Sequence, residues 1–235
     1  MKKLTALLSF FILTEASGQN LQPPLLKPGA DTARGLYFKA LDETLPIHNG
    51  RVFYGYPGVL ETAFYPESGW YQGSVLYDGI WYRDVQIMYD TYMDEVVLLH
   101  PQGTPLRLIS ERIQKFEYAG LFFERLGPDT DPQLKNGFYQ RAIKGPLTIY
   151  VKRTRKIEEN IVDLAIERKF VNTYLYYALK DGKYTAIGKQ KSMLELVRNK
   201  RQGVVHHLKQ QNLKFRKNRE KAIMEMAAFY NQSPN

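Results

Sequence analysis

Five carboxylates come closest to a catalytic arrangement in this sequence. They lie within one aromatic-rich stretch, at Asp78, Asp84, Asp90, Asp94 and Glu95. A pair of carboxylates supplies the acid and the base of glycoside hydrolysis, and carboxylate oxygens are also ligands that calcium prefers. Aspartate is equally a preferred turn residue, and the spacing matches no calcium-binding loop. The pattern therefore favours turn formation over a catalytic or metal-binding role.

Other catalytic motifs are missing from the chain. It has no cysteine, which excludes thiol chemistry, and it lacks the G-x-S-x-G pattern of serine hydrolases and the glycine-rich loops that cradle phosphates. Of the histidines His48, His100, His206 and His207, the last two are adjacent, so on a helix they point about 100° apart and make a poor metal site. We therefore predict no catalytic residue, no metal and no cofactor, and the sequence leans away from an enzyme.

Two groups of residues are candidates for binding a ligand or a partner. The basic group, near the C-terminus, consists of Lys209, Lys214, Arg216, Lys217 and Arg219. The aromatic group consists of Trp70, Tyr71, Trp81 and Tyr82. Aromatic platforms stack flat ligands such as sugars, but aromatic residues are also ordinary cross-strand partners. The alternation of this region favours packing for the aromatic group, and the basic group has a solvated helix face as its alternative.

The first eighteen residues predict export. Lys2-Lys3 precede a short apolar run at Leu4–Leu13, and Ala16-Ser17-Gly18 provides the small residues that a signal peptidase reads. This is the pattern of a secretory signal peptide over residues 1–18, because a membrane span needs about 20 apolar residues. The chain also lacks a cysteine for lipid attachment. We expect a periplasmic or extracellular product, soluble or peripherally bound to a membrane, with no transmembrane span after cleavage.

The positive charge is concentrated in the C-terminal quarter. Residues 183–235 carry twelve Lys or Arg and three Glu, a formal charge of +9, whereas residues 19–182 carry nineteen basic and twenty acidic residues. In a cytosolic chain this concentration of positive charge would indicate binding to nucleic acid. Export argues against nucleic acid, so we predict an anionic lipid, lipopolysaccharide or an acidic protein as the partner.

From residue 51 onward the pattern is that of an antiparallel sheet. Asp78-Gly79 is a hairpin-turn signal between apolar flanks, and the alternating Val85, Ile87 and Tyr89 are typical of a half-buried strand. Further apolar segments follow, separated by turns rich in Gly, Pro and Asp. We predict an antiparallel β meander over residues 51–190, as a curved sheet or an incomplete barrel.

The segments on either side of this meander, and one inside it, have other patterns. Residues 19–50 are an extended, proline-rich lead-in with one short helical pattern at Leu36–Leu45. Inside the meander, residues 153–167 are heavily charged, and they predict either a short helix or a long mobile hairpin loop.

The apolar period becomes helical after Lys191. Ser192 and Glu195 have the spacing of a capping box, which marks a helix start, and a stripe including Ile223 and Met226 has helical spacing. Residues 191–235 are therefore predicted as two or three basic amphipathic helices that pack on the β domain. The predicted fold class is α+β.

Several stretches of the sequence resemble a known group of proteins. They are Tyr71–Val85, Tyr89-Asp90, Asp94–Val97, Lys191–Leu194, Asn212–Phe215 and Tyr230-Asn231. Over about residues 45–231 the chain resembles a β-rich family of exported proteins of unknown function that is common in Bacteroidota. The resemblance implies export and a β-rich body followed by helices, and it carries over no catalytic residue and no substrate.

Three functional hypotheses follow. The first is a non-enzymatic cell-envelope module that binds an anionic ligand or partner through the basic group. The second is a carrier whose curved sheet holds a lipid or another apolar ligand. The third is a hydrolase of envelope glycans that uses Asp84, Asp90 or Glu95.

Overall fold

The computed structural model describes residues 45–232. The predicted signal peptide and most of the lead-in, including its helical pattern, lie outside the described residues. The strands are β1 Arg51–Val52, β2 Val59–Leu60, β3 Phe64–Tyr65, β4 Tyr71–Tyr77, β5 Ile80–Asp90, β6 Glu95–Leu99, β7 Pro105–Arg107, β8 Ile113–Tyr118, β9 Leu121–Leu126, β10 Gly137–Ile143, β11 Leu147–Val162, β12 Ala165–Lys180 and β13 Lys183–Ala186.

The helices follow the last strand. They are α1 Gln190–Leu196, α2 Arg201–Gln210 and α3 Arg219–Gln232, with single 3-10 turns at Pro46–His48, Ser110–Arg112 and Arg198–Lys200. None of the helices described between residues 45 and 232 is long and apolar enough to cross a membrane.

All the described strands belong to one sheet. Its order is β1-β7-β6-β5-β4-β8-β9-β10-β11-β12-β13, with β3 paired to β5 and β2 paired to β12. Neighbours are antiparallel, except that β2 runs parallel to β12. The ends of this order, β1 and β13, do not pair with each other among the described strands. The predicted α+β class, with an antiparallel meander as an open sheet followed by C-terminal helices, is confirmed.

The segment that carries β1, β2 and β3 joins distant parts of the sheet. Within about fifteen residues it pairs with β7, then with β12, then with β5. Tyr56 in this segment contacts the rings of Tyr92 and Phe170 at centroid distances of 5.4 and 5.2 Å. The segment therefore brings the β5–β6 turn close to the β11–β12 hairpin.

Aromatic side chains fill the inner side of the central strands. The rings of Phe116 and Phe123 stack at 4.7 Å, and Tyr89 and Phe138 pack against them edge-on or tilted. All four are fully buried, and burying each such side chain contributes about 1.5–3 kcal/mol. Much of the high aromatic content is thus explained by core packing.

Helix α3 is held on β11 by an apolar stripe between two polar contacts. Ile223 and Met226 pack into the cluster that contains Ile149 and Val151. Near the start of the helix, Arg153 donates to both carboxylate oxygens of Glu220, at 2.7 and 2.6 Å. Near its end, the amide of Asn231 bonds the backbone N–H and C=O of Leu147, each at 2.9 Å. These contacts fix both the position and the direction of the helix.

Two local predictions were wrong. Residues 153–167 form neither a helix nor a loop, because β11 and β12 pair continuously up to a two-residue turn. Their charges pair across the strands, as in Glu159–Arg168 at 2.7 Å, and not around a helix. The expected capping box is also absent, since α1 begins at Gln190 after Lys189 and has no side-chain cap.

Candidate interaction surfaces

The carboxylates of the meander occupy turns and irregular positions. Asp78, Asp84 and Asp94 have φ angles of 49°, 58° and 59°, in the left-handed region where aspartate is enriched among non-glycine residues. Asp78 begins the hairpin turn between β4 and β5, and Asp84 lies where the register of these strands shifts. The positions of these three aspartates agree with the prediction that they form turns.

Asp90 is a buried acceptor at the end of β5. Its carboxylate accepts from the backbone N–H of Tyr92 and Met93 at 2.9 and 3.1 Å, and from the hydroxyl of Tyr56. Burial raises the pKa of Asp90 above its ordinary value, although these hydrogen bonds oppose the shift. In this position the side chain closes the β5–β6 turn and attaches the N-terminal segment to it.

Asp94 connects the β5–β6 turn to β11. It accepts from Nζ of Lys152 at 2.9 Å and from the hydroxyl of Tyr89 at 2.5 Å. The adjacent Gly137 has a φ of 138°, and a Cβ built there would lie 1.8 Å from Asp94 Oδ2. Glycine at this position therefore leaves room for the ion pair.

The three carboxylates proposed for hydrolysis are not gathered in one depression. One surface depression, of about 430 Å³, is lined by Asp84 together with Glu117, Tyr118 and the β8–β9 turn, and Asp90 and Glu95 are not part of its lining. Glu95 lies 3.6 Å from Arg107, and burial raises its pKa. Asp84 accepts instead from the amide of Gln72 at 3.0 Å.

The aromatic group does not form a single surface. Trp81 and Tyr82 are consecutive residues of a regular part of β5, so their side chains point to opposite faces of the sheet. Tyr82 is buried and its ring lies 6.5 Å from that of Tyr77, while Tyr71 packs against Tyr118 at 5.7 Å. Trp70 is half-buried just before β4. These contacts agree with cross-strand packing.

Four of the five basic residues are exposed around the α2–α3 connection. Lys209 lies in the last turn of α2, and Lys214, Arg216 and Lys217 lie in the loop that follows. The ion pairs found among residues 45–232 involve none of these four. We refer to these four residues as the basic loop.

Arg219 is different from the basic loop because its guanidinium is used inside the fold. It donates to the carbonyls of Ile187 and Gly188 at 2.7 and 2.9 Å. It also lies 5.3 Å from the centre of the Tyr176 ring. These contacts attach the start of α3 to the connection between β13 and α1, so Arg219 is not placed for a ligand in the way that the other four are.

A second exposed surface, which the sequence analysis missed, is the end of the β11–β12 hairpin. We call residues 156–169 the arm. Around its turn Leu164 is 100% exposed, Ile161 80%, Ile166 64% and Val162 47%. The turn residues Asp163 and Leu164 have φ angles of 49° and 65°, a conformation that is unusual for leucine.

A sequence signal for this hairpin exists, but it is weak. Ile161-Val162 and Ala165-Ile166 flank the two turn residues symmetrically, as the apolar ends of a tight hairpin do. Leucine stands where glycine or asparagine is expected in such a turn. Because the turn residue is missing and Ile157, Ile161 and Leu164 have helical spacing, the sequence left a helix and a hairpin loop as alternatives and did not predict strands paired up to the turn.

Comparison with known proteins adds no further restraint. No family model, no curated protein and no solved structure matches the chain. The basic loop and the arm are the two exposed surfaces of the described chain that bear on function.

Proposed function

We propose that this protein is an exported cell-envelope module without enzymatic activity, which binds an anionic ligand or partner through the basic loop. The proposal includes the predicted signal peptide and the resemblance to exported Bacteroidota proteins. The observation that carries it is the exposure of Lys209, Lys214, Arg216 and Lys217 without an ion-pair partner among the described residues.

The neighbouring packing gives the basic loop a defined position. The backbone N–H groups of Lys217 and Asn218 donate to the carbonyl of Lys214 at 3.0 and 2.9 Å. Phe215, between two of the cations, is buried in the core beneath the helices. The cations are therefore presented on a short folded loop with a buried anchor, which lowers the entropy lost when an anion binds.

Several cations elsewhere in the described chain are paired with carboxylates, unlike those of the basic loop. Arg153 is paired with Glu220, Lys152 with Asp94, and Arg168 with Glu159. The basic loop is one of the exposed, unpaired sources of the positive charge in the C-terminal quarter, and it is distinguished by having four cations around one connection. At an anionic lipid surface, each such cation contributes about 1 kcal/mol.

The test is binding to vesicles of anionic phosphatidylglycerol, with vesicles of zwitterionic phosphatidylcholine as the reference. We expect binding only to the anionic vesicles, weakening steadily as salt is raised because the charges are screened. Charge reversal of Lys209, Lys214, Arg216 and Lys217 to Glu should abolish it.

A matched control reverses other exposed cations of the same quarter: Lys183, Lys189, Arg198 and Lys221. This variant has the same net charge as the first, so it separates a local site from the overall charge. Loss of binding only in the basic-loop variant supports the proposal. Equal loss in both variants would contradict a local site, and absence of binding by the unaltered chain to both these vesicles and lipopolysaccharide would contradict the lipid-surface form.

An acidic protein is the remaining class of partner in this proposal. It would be retained from envelope extracts by the unaltered chain and by the control variant, and released by salt. The carrier and the glycan hydrolase stay predictions.

A further inference from the structure

We propose that the arm joins two copies of this chain, by antiparallel pairing of the β11 edges around a two-fold axis at Glu159. This contact is separate from the basic loop and does not depend on the function proposed for it. The inference comes from the hydrogen-bonding geometry of the hairpin, from the symmetry of its sequence and from the exposed apolar residues at both ends of the open edge.

The hairpin geometry decides which backbone groups point outward. Val162 and Ala165 flank the two-residue turn, so their backbone groups hydrogen-bond to each other. From this pair onward, hydrogen-bonded and non-hydrogen-bonded residue pairs alternate along the hairpin. The odd-numbered residues of β11 therefore direct their N–H and C=O groups away from β12. The amide of Arg155 confirms this assignment, because it donates to Thr91 outside the hairpin at 3.0 Å.

Three outward positions lie beyond Arg155, at Ile157, Glu159 and Ile161. β10 pairs with β11 only as far as Val151, and no described strand pairs with the outer edge at these three positions. An open edge of this kind is a template for another strand. The opposite edge of the arm is partly covered, because β2 pairs with Arg168 and Lys169.

The backbone groups and isoleucines of the open edge are complementary to those of a second copy. The two Glu159 carboxylates face each other across the axis, which is unfavourable, but each is paired with Arg168 of its own copy. Ile157 and Ile161 lie symmetrically about Glu159, so a two-fold axis at Glu159 pairs each isoleucine with the other isoleucine of the second copy. All three outward positions of both copies then find backbone partners. The open edge ends at Arg155, whose amide already bonds Thr91. The remaining edge is long enough for residues 157–161 of the second copy.

The same register places apolar side chains together. Ile161 pairs with Ile166 within the arm, and Ile157 pairs with Phe170. Two-fold pairing aligns these pairs into one cross-strand row, Ile166 and Ile161 of one copy beside Ile157 and Phe170 of the other. Such rows are the unit of sheet stabilisation, and the row covers two of the most exposed aliphatic side chains of the arm.

The turn of each arm reaches an apolar surface in this arrangement. Leu164 comes next to the β5–β6 turn of the second copy, because that turn borders the open edge at Arg155. Tyr92 and Met93 in that turn are 38% and 46% exposed. The pairing therefore gives a partner to the fully exposed leucine and to two exposed side chains of the body.

A lipid surface fits the arm less well than a second copy. The outward N–H and C=O groups would enter the bilayer without partners, which costs several kcal/mol per group. Near the tip, Asp163 and Glu167 add negative charge, and Glu158 and Glu159 pair with Lys156 and Arg168. A protein strand satisfies the backbone groups, and the symmetry of the edge selects this chain itself.

The test is sedimentation velocity of the purified full-length chain over a series of concentrations. We expect a monomer–dimer equilibrium that shifts towards dimer as concentration rises. Glu159→Pro removes an outward N–H that the arm itself does not use, and it should raise the dimer dissociation constant at least about tenfold. Glu159→Ala is the matched control, because it removes the same side chain but keeps the outward N–H, and it should dimerise at least as tightly as the unaltered chain.

Leu164→Asp provides a variant that cannot fail through misfolding of a strand, since it changes a fully exposed turn residue. It should also weaken the dimer about tenfold or more. A chain that stays monomeric at every concentration would overturn the proposal. Equal dimerisation of the Glu159→Pro chain and the unaltered chain, or equal loss in the Glu159→Pro and Glu159→Ala variants, would overturn this pairing.

Discussion

The base and the arm of the β11–β12 hairpin consist of the same two strands in opposite surroundings. In the base, residues 147–155, β11 is contacted by β10, by α3 and by the β5–β6 turn. In the arm, aliphatic side chains and backbone groups face solvent. The base therefore contributes to stability, whereas the arm leaves these groups available for the pairing proposed above.

Charges show the same difference between the two regions. Arg153 in the base is buried between the rings of Tyr65 and Tyr174, each 4.6 Å away, and is bonded to Gln140 and Glu220. Ion pairs of the arm are exposed, with Arg168 and Glu159 both more than half accessible. Exposed pairs contribute about 0–1 kcal/mol, so the arm gains little stability from its charges.

The largest expected effect is at the ion pair of the base, between the buried Arg153 and the partly exposed Glu220. Glu220→Ala leaves the guanidinium of Arg153 buried without its carboxylate, and we expect the free energy of unfolding to fall by about 3 kcal/mol. Urea unfolding measures this loss. Glu195→Ala, at an exposed pair in α1, is the control and should cost less than about 0.5 kcal/mol. Similar small losses in both variants would remove the distinction drawn for the base.

A smaller effect is expected at Gly137, beside the Asp94–Lys152 pair. Gly137→Ala forces a positive φ on alanine and a clash with both charged groups, and we expect a loss of about 2 kcal/mol. Gly182→Ala also has a positive φ but meets nothing within 4 Å, and should lose about 1 kcal/mol. The difference in stability between the two variants, measured by thermal unfolding, gives the effect of the clash alone. Equal losses would show that a Cβ at residue 137 does not disturb the Asp94–Lys152 ion pair.

The pH dependence of stability provides a further test of the ion pair in the base. Burial alone would raise the pKa of Glu220, but its hydrogen bonds and ion pair with Arg153 outweigh burial and lower the pKa below 4.5. A lowered pKa in the folded state means that stabilisation is present above the unfolded value and is lost as pH falls through the folded value.

We therefore expect the stability difference between the unaltered chain and the Glu220→Gln variant to be constant near neutral pH and to shrink below about pH 4.5. Urea unfolding at several pH values measures it. A difference that grows as the solution is acidified would have the wrong sign for this account.

The smallest effect is expected in the arm. Leu164→Gly removes a fully exposed side chain and relieves the left-handed conformation, while glycine increases the entropy of the unfolded chain. These terms offset each other, so the free energy of unfolding of the monomer should change by less than about 0.5 kcal/mol. A loss comparable to that of Glu220→Ala would mean that the tip stabilises the fold.

The sequence was sufficient to predict local turns and periodic elements, but it was insufficient to predict contacts between residues that are distant in the chain. Asp78-Gly79 and the apolar stripe of α3 are local signals, and the structure has a hairpin and a helix there. The bonds of Arg219 to Ile187 and Gly188, or of Lys152 to Asp94, depend on the folded sheet. Such pairings leave no periodic trace in the sequence, so Arg219 was grouped with the exposed cations.

The most direct test of the comparison is amide hydrogen exchange along β11, measured by NMR at low and high protein concentration. The amide of Arg155, bonded to Thr91, should be protected at both concentrations. The outward amides of Ile157, Glu159 and Ile161 should exchange fast in dilute solution and become protected at high concentration as two arms pair. If these three amides exchange at the same rate at both concentrations, the arm is not the recognition element described here.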